Sequence, residues 1–206
     1  MDQAKKDCIL LEAARAFARF GFKKASVDDI AKGAKVAKGT IYLACESKED
    51  LFYQVLHRDV RSWVAEVSKL IDPRIPADEL LAMMSKSALA YLDHRPLVRD
   101  LLFGKTAELL PSWAERLHEL RSLGSAGVIE VLKLGGRQGV FRVDLDVEAV
   151  ASLLQDLQLT TYLFHNRGPD REERLERRML AGLDMILNGI RAPSGAPAPS
   201  ALPAAS

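Results

Sequence analysis

The residues Ala34-Lys35-Val36-Ala37-Lys38-Gly39-Thr40-Ile41-Tyr42, followed by Ser47-Lys48-Glu49-Asp50-Leu51, form the stretch from which the fold of this chain is best inferred. They come soon after an amphipathic segment that ends at Gly21. A supporting helix followed by two short helices joined by a tight turn makes up a helix-turn-helix (HTH). The stretch therefore predicts a three-helix N-terminal domain whose third helix could enter the major groove of DNA.

The segments around this stretch carry helix signals. Apolar residues recur at spacings of three and four, which predicts a first helix from Gln3 to Phe20 that glycine at position 21 stops. Ser26 is a good N-cap for a second helix, and an acid three residues later resembles a capping box. We expect a third helix from Ala37 to Cys45 with Ile41 facing inward. Ser47 then caps a long fourth helix that begins at Lys48 and ends before Asp72-Pro73.

The rest of the chain also shows helical periodicity. We predict further helices over residues 77–93, 96–110, 112–134, 147–165 and 170–190, the third of these bounded by Gly135-Gly136. Val140–Val143 is too short and isolated to predict a strand. The expected fold is all-α with about nine helices: an HTH domain over residues 1–47, a larger helical domain over 48–191, and a disordered Ala/Pro-rich tail over 192–206.

Charge and composition narrow the function. The whole chain has a net charge of +1, which argues against coating DNA by bulk charge, but residues 1–45 carry nine basic and five acidic side chains. This local excess suits a DNA contact at the N-terminus. The N-terminus lacks the pattern of a signal peptide, and no apolar run approaches the roughly 20 residues that span a bilayer. We therefore expect a cytoplasmic protein without membrane association.

The N-terminal motifs resemble the tetracycline-repressor (TetR/AcrR) family of bacterial transcriptional regulators. The resemblance covers about a quarter of the chain, and its specificity comes from the combination of motifs. The residues that carry it are Ile9, Leu10, Glu12, Ala13, Ala14, Phe17, Gly21, Phe22, Val27, Asp29, Ile30, Ala31, Val36 to Tyr42, and Ser47 to Leu51.

The resemblance implies a set of contacts with double-stranded DNA. Ser26 would cap the second helix and touch a phosphate, and Lys38 and Gly39 would face base edges or a phosphate. Hydroxyl and ammonium groups are common phosphate partners. The remaining implied phosphate contacts are Thr40, Tyr42 and Lys48.

Three positions depart from the family pattern. Lys35 stands at a turn position where glycine is usual, so a left-handed backbone there costs about 1 kcal/mol, and its charge could compensate by meeting a phosphate. Ala37 replaces a common serine, which removes the usual N-cap of the third helix. Cys45 replaces an aromatic residue of the small core, which we expect to be smaller or to be repacked from Leu43 or Phe52.

The last two predicted helices are apolar on more than one side, and the resemblance implies that they form a four-helix homodimer interface. Two such subunits would read a palindromic operator. Central helices in a monomer core would show the same pattern. The expected interface residues are Val150, Leu154, Leu157, Thr161, Leu175, Met179, Gly182, Leu183 and Ile186.

The helices between the HTH and this interface would then form a pocket for a small-molecule effector that releases the repressor from DNA. Apolar walls with few polar anchors are typical of such sites, although aromatic and methionine side chains at helical spacing also fill ordinary cores. An apolar or amphipathic effector is expected. The candidate pocket residues are Trp63, Met84, Tyr91, Phe103, Trp113, Leu117, Arg121, Gln158 and Tyr162.

Other functions remain open. The same fold could act as an activator or a corepressor-dependent regulator. Cys8 and Cys45 could form a thiol-based redox sensor, but we expect two buried, inert thiols. An enzyme is not expected, because the sequence has no phosphate-binding glycine loop, metal-ligand spacing or nucleophile elbow. We expect no metal and no cofactor.

Overall fold

The computed structural model describes residues 2–95, 97, 98, 113–165, 168 and 170–191. Within these residues the chain forms α-helices and no strand longer than an isolated bridge. The expected all-α fold is therefore confirmed. The helices are α1 (Gln3–Lys24), α2 (Val27–Gly33), α3 (Lys38–Tyr42), α4 (Lys48–Ser68), α5 (Ala77–His94), α6 (Ala114–Gln138), α7 (Val147–His165) and α8 (Arg171–Ile190).

Some sequence predictions fall outside the described residues. These are the helix expected over 96–110, apart from residues 97 and 98, the pocket candidate Phe103 and the tail over 192–206. Among the described residues, no helix is both long enough and apolar enough to cross a membrane.

The contacts divide the chain into two compact units, with no boundary at residue 47. Unit 1 contains the described residues within Met1–Trp63 and Leu92–Gly124, and unit 2 contains those within Val64–Tyr91 and Ser125–Ser206. The first four turns of α4 thus belong with α1, α2 and α3.

The core of unit 1 is built around phenylalanine rings. Phe52 of α4 is buried, and its ring centroid lies 5.0 Å from that of Phe17 and 5.2 Å from that of Phe22. Trp113 packs on the same ring at 5.7 Å. Aromatic pairs at these separations add stabilisation beyond area burial. Of the two residues considered for repacking the small core, Phe52 is therefore buried among these rings, whereas Leu43 is solvent-exposed.

The first helix breaks where the sequence predicts. Gly21 has φ +74° and ψ 165°, a conformation that L-amino acids avoid, but helical hydrogen bonding resumes after it and continues to Lys24. At the other end of the HTH, the amide of Asp50 donates to Ser47 Oγ at 3.0 Å, which confirms Ser47 as the N-terminal cap of α4.

In unit 2, α6 does not end at Leu134 as expected. It continues through Gly135 and Gly136 to Gln138, and the left-handed Gly139 (φ +71°) terminates it. A Cβ built on Gly135 would lie 2.1 Å from Cδ2 of Phe141, which is fully buried. Glycine at position 135 is therefore a packing requirement that lets the Phe141 ring lie against the helix backbone.

The side chain of Gln138, the last residue of α6, hydrogen-bonds to the start of α5 and to the segment before it. Its Oε1 accepts from the amide of Ala77 at 2.9 Å, and its Nε2 donates to the carbonyls of Pro73 and Ile75, both at 3.0 Å. One side chain thus satisfies three backbone groups in a segment without helical partners. We call this arrangement the Gln138 clasp.

Helices α7 and α8 pack closely in unit 2. The bounds of α7 match the sequence prediction, and α8 begins one residue later than predicted because Asp170 has a left-handed backbone (φ +56°). A Cβ on Gly182 would lie 2.7 Å from Leu157 Cδ2, so the small residue permits this close approach.

Candidate nucleic-acid interface

The turn between α2 and α3 is a Schellman motif with lysine in the left-handed position. The amide of Val36 donates to the carbonyl of Ala31 at 3.0 Å, and that of Lys35 donates to Lys32 at 3.1 Å. Lys35 has φ +54°, which confirms the left-handed conformation expected there. Glycine is the usual residue at this position of the motif. Lys35 is exposed, so the turn presents a positive charge where a glycine would present none.

Helix α3 is anchored by one buried residue. Ile41 is completely buried, and the thiol of Cys45, one turn later, donates to its carbonyl. Helix α3 is shorter than the Ala37–Cys45 span that we predicted, and Ala37 supplies no side-chain cap, as expected. The opposite side of α3 faces solvent and carries Lys38, Gly39, Tyr42 and Leu43, which we call the outward face. This face is what the HTH would present to DNA.

An ion pair holds the first residue of α3. The ammonium nitrogen of Lys38 lies 2.9 Å from Oδ2 of Asp28, in the first turn of α2. Both side chains are largely exposed, and the hydrogen bond and charge of Asp28 raise the pKa of Lys38. Lys38 therefore stays charged at neutral pH and has a preferred direction before any ligand arrives.

The fold itself does not require glycine at position 39. Gly39 lies inside α3 without a positive φ, and a Cβ built on it would have no atom within 4 Å. Since glycine costs about 1 kcal/mol relative to alanine within a helix, its presence is unfavourable for the isolated protein. Close approach of another molecule to this backbone would account for it.

The other predicted phosphate contacts lie at the start of α2, within α3 and at the start of α4. Ser26 Oγ accepts from the amides of Asp28 and Asp29 at 3.1 and 3.4 Å, which confirms its capping role. Thr40 is half-buried, and Tyr42 is 49% exposed. Lys48 lies over the ring of Phe22 and donates to the carbonyl of Lys23 at 3.1 Å, so it also joins α4 to the end of α1.

The two cysteines differ. Cys45 is buried as expected, and burial, followed by the charge of Asp50, raises the pKa of its thiol to about 11. Cys8 is exposed, so the expectation of two buried thiols was wrong for this residue. A thiol with a raised pKa is a poor nucleophile at neutral pH, which disfavours redox sensing through Cys45.

The candidate effector residues are distributed over both units. Trp113 is buried in unit 1, Trp63 and Leu117 of that unit are half-buried, and Arg121 is exposed. The candidate residues in unit 2 are all at least half-buried: Met84 and Tyr162 are buried, and Tyr91 and Gln158 are half-buried. Within unit 2, Gln158 Nε2 donates to Oγ of the buried Ser85 at 3.3 Å.

Most candidate dimer residues on α7 and α8 are buried within a single chain. Side chains that the chain already covers offer little surface to a second copy. The buried residues are Leu154, Thr161, Leu175, Met179 and Leu183, and the half-buried ones are Val150, Leu157, Gly182 and Ile186. Among the α7 and α8 side chains that the structure describes, the large apolar ones left exposed are different: Leu153, Leu180 and Met185.

Two residues of the interface were missed by sequence reasoning. Asp28 was not among the predicted residues, because its pairing with Lys38 depends on the angle between two helices. Leu43 was one of two candidates for repacking the core, although its spacing contained a usable signal. It lies four residues after Gly39 and off the line joining Ile41 to Cys45, which places it on the outward face.

Residues 9–55 match the family model described as bacterial regulatory proteins, tetR family. The chain is 26% identical over 200 residues to the HTH-type transcriptional repressor KstR2 of Mycolicibacterium smegmatis, and the match covers 93% of each chain.

Solved structures share the fold. The transcriptional regulator FadR from Bacillus subtilis, in complex with stearoyl-CoA, matches with a TM-score of 0.69 and 22% identity over 90% of this chain and 99% of that one. FadR from Thermus thermophilus, a transcriptional repressor in complex with lauroyl-CoA, matches with a TM-score of 0.70 and 23% identity over 95% of this chain and all of the other.

Proposed function

We propose that this chain, whose residues 9–55 match the model of the tetR family of bacterial regulatory proteins, is a homodimeric repressor of that family. It binds a palindromic operator through α3 and leaves it when an effector binds unit 2. The observation that carries the proposal is the outward face of α3, which is exposed around a fully buried Ile41. A short helix held by its inner side and open on its outer side suits insertion into a major groove. The protein would act in the bacterial cytoplasm, where the chromosome lies.

The proposed DNA contacts fall into two groups. Phosphate contacts come from the hydroxyls of Ser26, Thr40 and Tyr42 and the charge of Lys48, which fix the position of α3 without reading sequence. Lys35 adds a cation at the turn. Lys38 and Gly39 lie where base edges would be, and there Lys38 exchanges its contact with Asp28 for an acceptor on DNA.

Dimerisation is proposed through α7 and α8. The exposed side chains Leu153, Leu180 and Met185, the last 77% exposed, give these helices apolar surface that one chain leaves uncovered. Burial of apolar area at about 25 cal/mol per Å² is the main driving force for such association. Half-buried Val150, Leu157, Gly182 and Ile186 would border this contact, and two recognition helices would then read the two halves of a palindrome.

We propose an acyl-CoA thioester as the effector. Support comes from the two FadR structures, which hold stearoyl-CoA and lauroyl-CoA, and from the interior of unit 2 in this chain. Met84 and Tyr162 supply apolar contact there, and the Ser85–Gln158 pair supplies polar groups in the same interior. An acyl chain would contact the former, and a thioester carbonyl would accept from the latter.

The N-terminal part of α6 offers a route from effector to DNA. In unit 1, Arg116 lies over the rings of Tyr53 and Trp113 and donates to Asp50 Oδ1 at 3.5 Å. Asp50 lies in the first turn of α4, directly after the HTH. Because α6 extends into the residues of unit 2, a shift of this helix on effector binding would move the start of α4. Differential affinity for two such states is what an effector needs.

DNA binding is tested with the full chain and a random duplex library. Repeated selection should yield a palindromic consensus, with binding that weakens steeply as salt rises because lysine contacts release counterions. The Tyr42→Phe and Lys48→Gln variants should bind all sequences more weakly without changing the consensus. Recovery of no consensus would contradict the proposed function.

The effector is tested by titrating octanoyl-, lauroyl- and palmitoyl-CoA into the complex with the selected duplex. Release of DNA by acyl-CoA, but not by CoA or the free fatty acid, is expected. The Gln158→Leu variant should need more acyl-CoA while binding DNA normally. Tighter DNA binding with acyl-CoA would show a corepressor, and the absence of any effect would exclude this ligand class.

A further inference from the structure

We propose that Leu43 contacts the methyl group of a thymine in the operator and so determines specificity at that base pair. This inference rests on the DNA-binding function proposed above. Leu43 is 78% exposed, more than any other large apolar side chain in the described residues. An exposed leucine is common on protein surfaces, so its meaning here comes from its position on α3.

Leu43 lies at the end of the outward face. Its amide donates to the carbonyl of Gly39 at 3.2 Å, which keeps it in helical register one turn after the glycine. Residues four apart share one side of a helix, and helical side chains lean toward the N-terminus. Leu43 therefore lies on the same side of the helix as Gly39, and the space beside the glycine is open, with no atom within 4 Å of a Cβ built there.

The core offers no role for this side chain. Of the two residues considered for repacking the small core, Phe52 is buried against the ring of Phe17, whereas Leu43 lies in solvent. Removing Leu43 beyond its Cβ should therefore leave the packing of unit 1 intact. A side chain without a structural role on the surface that meets DNA is a candidate for base recognition.

The apolar side chain of leucine favours contact with thymine over contact with the other bases. In the major groove each base pair presents a distinct pattern, and the C5-methyl of thymine is the group that an apolar side chain contacts favourably. Amide, carbonyl and amino groups of the other bases would instead lose hydration against a leucine without gaining a hydrogen bond. Lys38 and Tyr42 on the same face supply the polar contacts that Leu43 cannot.

The test uses the selected consensus duplex with each thymine replaced in turn by deoxyuridine, which removes only the methyl group. Wild-type protein should bind about fourfold more weakly at one symmetry-related pair of positions, the effect of one methyl group leaving an apolar contact. For the Leu43→Ala variant, the thymine and uracil duplexes should bind equally at that pair. Its dependence on salt should match that of the wild type, since the phosphate contacts remain.

Val143→Ala is the control, because Val143 is 74% exposed and lies in unit 2. This variant should keep the full preference for thymine. Thermal unfolding of Leu43→Ala near the wild-type temperature would show that the fold is preserved. An unchanged preference for thymine in Leu43→Ala, or the absence of any sensitive thymine in a duplex that the wild type binds specifically, would overturn the inference while leaving the DNA-binding function standing.

Discussion

Lys38 and Asp28 join the two helices of the HTH through a contact of 2.9 Å between the ammonium nitrogen and a carboxylate oxygen. Lys38 is the first residue of α3, and Asp28 lies in the first turn of α2. The pair orients the lysine, but it also places a negative charge beside a group that we propose to contact DNA. Asp28 therefore competes with the operator for the same cation.

Neutralising Asp28 should strengthen DNA binding. In Asp28→Asn, Lys38 is released and the repulsion between the carboxylate and phosphate disappears, so affinity should rise several-fold at low salt. Titration of the selected duplex by fluorescence anisotropy measures the change. Asp29→Asn is the control, because it changes the net charge equally and leaves the Lys38–Asp28 pair in place. Equal gains from the two variants would show that the pair itself does not matter.

Adding a methyl group at Gly39 should raise the stability of the protein and lower its affinity for the operator. Gly39→Ala fits without a clash and should stabilise the protein by up to about 1 kcal/mol, yet it should weaken operator binding at least tenfold if the backbone approaches DNA closely. Gly136→Ala, in an equally open position of α6, should leave DNA binding unchanged. Urea unfolding and duplex titration measure the two effects. Wild-type affinity in Gly39→Ala would contradict a close approach.

Replacing the left-handed lysine of the turn should also raise stability while removing a contact with DNA. Lys35→Gly relieves the backbone strain and should stabilise the fold by about 1 kcal/mol, while the loss of one cation should reduce the salt dependence of DNA binding. Lys35→Ala separates the two causes, because it loses the charge and keeps the strain. A salt dependence equal to that of wild type in both variants would exclude a phosphate contact.

Adjacent glycines in α6 should respond differently to the same change. Gly135→Ala forces a Cβ into the buried ring of Phe141 and should destabilise the protein by about 1–3 kcal/mol, as overpacking does. Gly136→Ala meets no atom within 4 Å and should be neutral or stabilising. Chemical unfolding of both variants checks the pair. Similar stabilities would mean that the Phe141 ring moves freely.

The buried thiol of Cys45 should make stability depend on pH in the alkaline range. Its pKa is raised from 9.0 to about 11 in the folded protein, so folding favours the protonated thiol. This contribution is complete below pH 9 and declines as pH rises from 9 toward 11. The difference in unfolding free energy between pH 8 and pH 10 should therefore be smaller in Cys45→Ala than in wild type. An identical difference in the two proteins would contradict the raised pKa.

Local signals accounted for most of the helical elements. Ser26, Ser47 and Gly21 mark their boundaries through short-range hydrogen bonds and backbone preferences, which a sequence shows directly. The helix end expected at Gly135-Gly136 was wrong for a non-local reason: Gly135 makes room for the ring of Phe141, and Gly139 ends the helix. Glycine alone does not distinguish a terminator from a site of close packing.

The sequence predicted the HTH motif well, but it predicted less well which residues of the motif are exposed and which contact each other. Helical spacing identified Ile41 as the inward residue of α3, but the choice between Leu43 and Phe52 for the core needed the direction of α4. The pairing of Lys38 with Asp28 likewise depends on how α2 and α3 cross. Such information is tertiary, and residue types at fixed spacing do not contain it.

The Gln138 clasp has a consequence for the order of folding. Gln138 and Ala77 are 61 residues apart, so their hydrogen bond closes a long loop. Closing that loop costs conformational entropy, and this cost precedes any stabilisation by the contact. Helices form locally and early by comparison. The segment from Pro73 to Ala77 should therefore gain its native hydrogen bonds only when the end of α6 arrives, which makes completion of unit 2 a late event set by a single amide side chain.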